Sequence, residues 1–414
     1  MAALDIPDLS DFDTFVDGFP HDAFVTLRRE APVWWHEPTA KTPDGEGFWC
    51  VSSHELVVDV FRNPALFSSH TGGDRPHGGT TLDDMEQSGV LLNMMDDPRH
   101  QRIRQLVNKG FTPKMIGRIR DDLVTMAGQI LDAVAPPSGG RGACDLVVDV
   151  AAELPLQAIC MLLGVDQADR RQLCEWVDLT AENYSKENRA DVDLTPSIGM
   201  FQYGQQLIDE RRENPGDDLL SIVIHGELAG QDPPHLDGGE IAMFWSLLFT
   251  AGAETTRKAI AGGLWELVKA PDQLAALTAD RSAMATTIEE IVRWTTPSVY
   301  KRRTATEDTE LGGQRIRAGE KVVVWEMSAN RDEDVFGDPF TFRFDRGPNN
   351  HVGFGHGPHF CLGANLARLE IDVMLNAILD RWTDIEITGG PTWTRTNRLS
   401  GLKTLPIAFT DTGV

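Results

Sequence analysis

Phe354-Gly355-His356-Gly357-Pro358-His359-Phe360-Cys361-Leu362-Gly363 decides how this chain is read. Three glycines and a proline surround one cysteine, and a long apolar-periodic run starts directly behind it. Glycine admits tight left-handed turns, so such a loop lets backbone approach a flat ligand closely. Cys361 precedes a predicted helix whose free N–H groups and positive dipole end favour a thiolate. Two other readings stand beside this one. A lone cysteine is commonly a small buried hydrophobe. His351, His356, His359 and Cys361 also lie close enough in sequence to raise zinc. Structural zinc sites usually place ligands in pairs, often as CxxC, and that pairing is missing.

The whole chain narrows the choice. Its 414 residues are long enough for a large core without cross-links. Five scattered cysteines, Cys50, Cys144, Cys160, Cys174 and Cys361, do not form a disulfide framework. The acidic start lacks a basic region followed by an apolar core, so no signal peptide is expected. No apolar run approaches the roughly 18 residues of a membrane span, and the reading is a soluble, cytoplasmic protein. A formal charge of −25 argues against nucleic acid as a partner. One stretch breaks that trend. From Arg99 to Arg120 there are seven basic residues, Arg99, Arg102, Arg104, Lys109, Lys114, Arg118 and Arg120, and no acidic one. It reads as a solvated helix face or as a docking site for an acidic partner.

Periodicity predicts a mainly α chain, a single domain over residues 1–414 with a minor β-rich part near 31–52, 302–325 and 384–410. Strands are expected at Val33–His36 and Phe48–Val51, and a loop over His70–Asp84. Successive amphipathic helices are expected over Ile116–Ala135, Val147–Leu163, Gln167–Tyr184 and Pro196–Glu213, with an irregular break at Ser185–Thr195. Arg302–Leu311 and Lys321–Trp325 read as strands about a turn at Gly312-Gly313. Short strands close the chain near Asp384–Thr388 and Leu405–Phe409, after a helix over Ala364–Trp382.

Three further elements carry candidate chemistry. Asp97-Pro98 suits a helix start, with Asp as cap and Pro first in the helix, and His100 and Arg104 then share one face. The longest helix, from about Gly239 to Lys269, holds Ala251-Gly252-Ala253-Glu254-Thr255-Thr256. Gly252 costs about 1 kcal/mol there relative to Ala, so either a ligand or a neighbouring helix needs the space. A threonine hydroxyl in that place can bond a carbonyl one turn back, and Glu254 in so apolar a stretch needs a partner or a task in proton traffic. Third, Glu290 and Arg293 form an i,i+3 pair among apolar neighbours.

These elements, in this order, resemble the cytochrome P-450 superfamily over about residue 20 to the end. The loop meets the superfamily pattern Phe-Gly-x-Gly-x-His-x-Cys-x-Gly at every fixed position. The resemblance implies a P-450 fold with a long central helix over a buried haem b. Cys361 is then the thiolate metal ligand, and Phe354, His359 and Gly363 belong to the cofactor-binding loop. It assigns His100, Arg104 and Arg303 to the haem propionates and places Ala251 against the cofactor. Thr255 would hold dioxygen and its water, and Glu254 would relay protons. Glu290, Arg293 and, after Asp338-Pro339, Arg343 are implied as structural supports of the haem loop. The implied reaction inserts one atom of O2 into a C–H bond of a lipophilic substrate. An acidic ferredoxin, its reductase and NAD(P)H would supply electrons, docking at Arg99–Arg120. Asn93–His100, the Glu254 element and Arg302–Gly313 look like bacterial members acting on steroids, terpenoids or branched lipids. Leu92, Phe249, Thr250, Val299 and Leu402 are candidate cavity positions, and Lys301 or Arg302 either meets an acidic substrate group or is a solvated strand charge. A natural-product tailoring oxygenase would share every motif, whereas a non-catalytic haem sensor would not need the Glu254-Thr255 pair.

Overall fold

Val322, Val323 and Val324 show how the sheet organises its surroundings. Side chains alternate along a strand, and these three serve two different cores. Val322 and Val324 pack with Val51, Val57, Phe61, Phe67 and Ala305. Val323 packs with Phe24, Phe48, Cys50, Val299 and Trp325 on the other face. A strand buried on both faces reads as a continuous apolar run, as this one does.

The computed structural model describes residues 4–137, 139–183, 192–228, 230 and 234–413. It divides into two compact units, each assembled from separate chain segments. The first comprises 1–101, 292–361 and 393–401, and the second 102–291, 362–392 and 402–414. The strands in chain order are β1 (Val33–His36), β2 (Phe48–Val51), β3 (Phe67–Ser68) and β4 (Gly140–Asp145). They continue with β5 (Lys301–Ala305), β6 (Thr309–Leu311), β7 (Gln314–Ile316) and β8 (Lys321–Val324). The last are β9 (Trp382–Ile387), β10 (Thr392–Trp393), β11 (Leu402–Thr404) and β12 (Pro406–Asp411).

In the first unit a five-stranded sheet runs β1-β2-β8-β5-β3. Only β2 and β8 pair in parallel, with Cys50 opposite Val323. Gly312 and Gly313, with φ of 56° and 78°, form the two-residue hairpin turn between β6 and β7. Both positions need left-handed backbone, which is why glycines occupy them. In the second unit a 32-residue helix, Gly238–Lys269, is opened by a capping box between Asp237 and Glu240. It extends about 48 Å at 1.5 Å per residue, and a three-stranded sheet, β4-β12-β9, belongs to the same unit.

Several expectations change in detail. The helix bearing His100 starts at Arg99, not at Pro98, and Asp97 accepts instead from the Gln101 N–H at 3.0 Å. The expected Ile116–Ala135 helix is two helices, Pro113–Arg118 and Arg120–Val134, broken at Ile119. The Val147–Leu163 stretch begins as a wide π-type turn over Leu146–Ala151, capped by the Asp145 carboxylate on the Val147 and Val148 N–H groups. Strand β4 and the helix Leu219–His225 were not anticipated, the first because it is short and largely exposed. Most of the break expected at Ser185–Thr195 lies outside the described residues.

The supporting arginine expected at Arg343 is also corrected. Arg343 is on the surface, its side chain 49% exposed and 3.5 Å from Asp345. Arg346 is buried instead and donates to the carbonyls of Gly337, Asp338 and Thr341 at 2.6, 3.1 and 2.8 Å. Buried Arg293 donates to the Thr341 carbonyl too, at 3.5 Å, and to Asn330 and Pro339. The turn around Pro339 thus aims the later arginine inward. Arg346→Ala should cost about 2 kcal/mol or more, because several carbonyls lose a charged donor. Arg343→Ala should stay within about 0.5 kcal/mol, and urea unfolding of the two variants checks this order.

Candidate functional site

The cysteine loop is built in the first unit. Gly355 and Gly357 both have φ of 70°, and a Cβ on Gly357 would lie 2.5 Å from the Phe61 carbonyl oxygen. No larger residue fits there without moving backbone. The Gly355 N–H donates to Val352 O at 2.7 Å, and the Cys361 N–H returns to Phe354 O at 2.8 Å. The thiol of Cys361 is exposed, whereas Cys50, Cys160 and Cys174 are buried and Cys144 is half-buried. Burial pushes the Cys144 and Cys160 thiols up to about 12 and raises Cys50 and Cys174 as well. Those four are poor thiolates.

The neighbouring histidines diverge. His351 accepts from the Gly353 N–H, His356 accepts from Arg62 Nε at 3.0 Å, and His359 contacts Ser69 Oγ at 3.2 Å. Among the described residues no group of three or more His, Cys, Asp or Glu side chains is arranged to hold a metal ion. His359 instead stacks on His100, ring centroids 4.0 Å apart, and His100 meets Asp97 at 3.2 Å. Arg303 on β5 is 3% exposed, lies over the Phe61 ring and donates to the Arg302 carbonyl. Burial lowers its pKa to about 10, against the opposing pull of Glu326 and Asp96. Among the described residues no carboxylate lies within ion-pair distance of it. Neither Lys301 nor Arg302 is a freely solvated strand charge: Arg302 is fully buried on Asp84 at 2.6 Å, and Lys301 pairs with Glu326.

The second unit carries the Glu254 element at the middle of the Gly238–Lys269 helix. Thr255 Oγ1 donates to the Ala251 carbonyl at 2.9 Å, and Thr250 does the same one turn earlier, to Ser246. Ala251 is exposed although much of this helix is buried. Gly252 serves packing, since a Cβ there would come within 2.2 Å of Ile159 Cδ1. Glu254, its side chain 15% exposed, is held at both oxygens, by Lys258 at 3.2 Å and Arg257 at 3.4 Å. Arg257 is tied in turn to Asp178. Burial opposes ionisation of Glu254, but the two cations outweigh it and hold the carboxyl below its ordinary value. Arg104, also in this unit, donates from Nε to Asn108 at 3.1 Å. Glu290 is fully buried, as is Arg293 in the first unit.

The cavity candidates separate. Val299 is a core residue of the first unit, and Phe249 packs on Trp245 with centroids 4.8 Å apart. Leu92 and Leu402 are buried and Thr250 is half-buried.

A family model described as Cytochrome P450 matches residues 20–409. The chain belongs to the cytochrome P450 family. A Mycobacterium tuberculosis protein named cytochrome P450 126 is 49% identical over 98% of each chain. A Rhodococcus jostii steroid C26-monooxygenase is 39% identical over 97% of this chain and 84% of that one. A methyl-branched lipid omega-hydroxylase of Mycobacterium bovis is 39% identical over 96% and 93%. Among solved structures, a Mycobacterium marinum cytochrome P450 in complex with pseudoionone matches with a TM-score of 0.84 and 35% identity over 94% of both chains. The P450 OxyD, involved in biosynthesis of vancomycin-type antibiotics, matches at 0.86 and 28%, over 98% and 99%.

This cytochrome P450 is therefore a monooxygenase that uses haem b and O2. Its residues fit that group. A buried guanidinium at Arg303 suits an anionic propionate, and Cys361 is an exposed residue on a loop whose glycines admit close backbone approach. The motifs did not point to Lys258, Arg257 and Asp178. Lys258 had a readable signal, four residues after an acid in an apolar helix, whereas Asp178 lies on another helix and had none. The Glu254 clamp sets a pH dependence. A depressed carboxyl pKa contributes stability above its unfolded value near 4.5 and loses it as pH falls through the folded value. Glu254→Gln should cost about 3 kcal/mol at pH 7, because Lys258 and Arg257 lose a charged partner in a buried setting, and the gap in thermal midpoint should narrow as pH falls below about 4.5.

Proposed function

We propose that this P450 hydroxylates a C–H bond of a lipophilic substrate, a steroid or methyl-branched lipid before a terpenoid, in the cytoplasm. The names of two relatives at 39% identity support that class. The observation that carries the site is the exposed Cys361 thiol on a loop whose glycines exclude side chains. Cys361 would be the thiolate that holds the haem, with Phe354 and Gly363 in the same loop. His100, Arg104 and Arg303 would hold the propionates, His359 would belong to the cofactor-binding loop, and Ala251 would give the cofactor backbone room. When bound, the thiolate-ligated haem supplies oxygen activation, which thiolate donation favours.

The protein's own groups then handle protons. The Glu254 carboxylate, paired with Lys258 and Arg257, would exchange a proton with water, and the Thr255 hydroxyl, which donates to the Ala251 carbonyl, keeps its lone pairs for a further bond. Arg293 and Arg346 keep the approach to the loop in place. A second reading, tailoring of a natural product, draws on the likeness to OxyD.

The reduced protein with carbon monoxide should give the red-shifted Soret band of thiolate ligation, lost in Cys361→Ala. An unchanged band in the variant overturns the ligand assignment. Titration of the wild type with steroids and branched fatty acids should shift the spin state, and product mass should rise by one oxygen. A response confined to peptide or polyketide compounds would favour the second reading.

Electrons are assigned to an acidic ferredoxin with its reductase and NAD(P)H. In a chain of charge −25, Lys109, Lys114 and Arg118 are exposed and Arg102 half-buried, while Arg120 is already paired with Asp372 at 2.8 Å. Arg102→Glu or Lys109→Glu should slow reduction by ferredoxin about tenfold or more at low salt, less at high salt, because the attraction is screened. Equal stopped-flow rates would remove this docking face.

A further inference from the structure

Glu326 is a buried acid with no part in the roles assigned above. It follows Trp325 at the end of β8, at the start of the short helix Glu326–Ala329, and is 1% exposed. Lys301 Nζ lies 3.2 Å from its Oε2. A Cβ on Gly355 would lie 3.6 Å from its Oε1, so the other oxygen faces the Gly355 position of the Cys361 loop. Arg303 is the second cation facing it. Lys301 also reaches Ser298 Oγ and the Tyr300 carbonyl, and Asp96 is the other acid acting on Arg303. A charge withdrawn from water this far is costly unless it is paired, and here the carboxyl sits between the two strand cations and the loop.

We propose that Glu326 is a positioning residue of the haem cradle, placing negative charge against the cysteine loop and sharing Arg303 with a propionate, so that the Lys301–Glu326 pair sets the reduction potential of the haem. The proposal rests on the assignment of Cys361 and Arg303 above. Local charge and second-layer hydrogen bonding are the levers by which a protein tunes such a potential. Burial raises the Glu326 pKa above its ordinary value, with Lys301 and Arg303 opposing the shift.

The test is an optical redox titration of substrate-free haem-loaded protein at pH 8.5, for wild type, Glu326→Gln and Lys301→Met. Removing the carboxylate should move the midpoint positive, since the oxidised haem loses a stabilising negative charge. Removing the ammonium should move it negative. Unmoved midpoints, or both variants moving in one direction, overturn the proposal. If Glu326→Gln does not retain haem, Lys301→Met decides alone, and a midpoint at or above wild type overturns it. The carbon monoxide band separates the two assignments. Its absence from the wild type breaks the Cys361 reading, whereas a thiolate band with unshifted potentials breaks this one alone.

Discussion

Arg293 is fully buried, and main-chain carbonyls of Asn330, Pro339 and Thr341 receive its guanidinium. An ion withdrawn from water needs such partners, and here they lie on the segment that leads to the reactive loop. The Asn330 side chain carries the constraint onward. It donates to Thr296 Oγ1 at 2.8 Å and accepts from the Val352 N–H at 2.7 Å. Val352 then accepts from Gly355, and Phe354 accepts from Cys361. The position of the thiol follows from a buried charge some seventy residues earlier in the chain. Arg346 reinforces it by sharing the Thr341 carbonyl.

The second unit uses the same physics for a different end. A carboxylate inside an apolar helix is held ionised by Lys258 and Arg257, and Arg257 is anchored by Asp178. The two cations restrain the group and keep its charge in place. The Thr255 hydroxyl is restrained in the same way by its bond to Ala251. Gly252 makes the local geometry possible by admitting Ile159, so the small residue serves packing.

Much of this was legible from residue order. β1 and β2, the long capped helix and the glycine loop appear where period, caps and turn residues place them, because those signals act over a few residues. Errors arose where the deciding contact came from elsewhere in the chain. Arg343 and Arg346 are three residues apart in one polar stretch, and only the turn around Pro339 determines which points inward. Phe249 against the Trp245 ring and Val299 among the core residues of the first unit are further placements that residue order did not reveal.

Sequence by itself determined the family, the candidate ligand and the acid–alcohol pair, since spacing along the chain defines each of them. Tertiary structure alone decided which charges are partnered. Lys258 and Arg257 closing on Glu254, Asp178 reaching Arg257, and Glu326 facing the Gly355 position all depend on side chains brought together by folding. The free energy of a buried charge is set by what surrounds it in space, and neighbours in space are not neighbours in order.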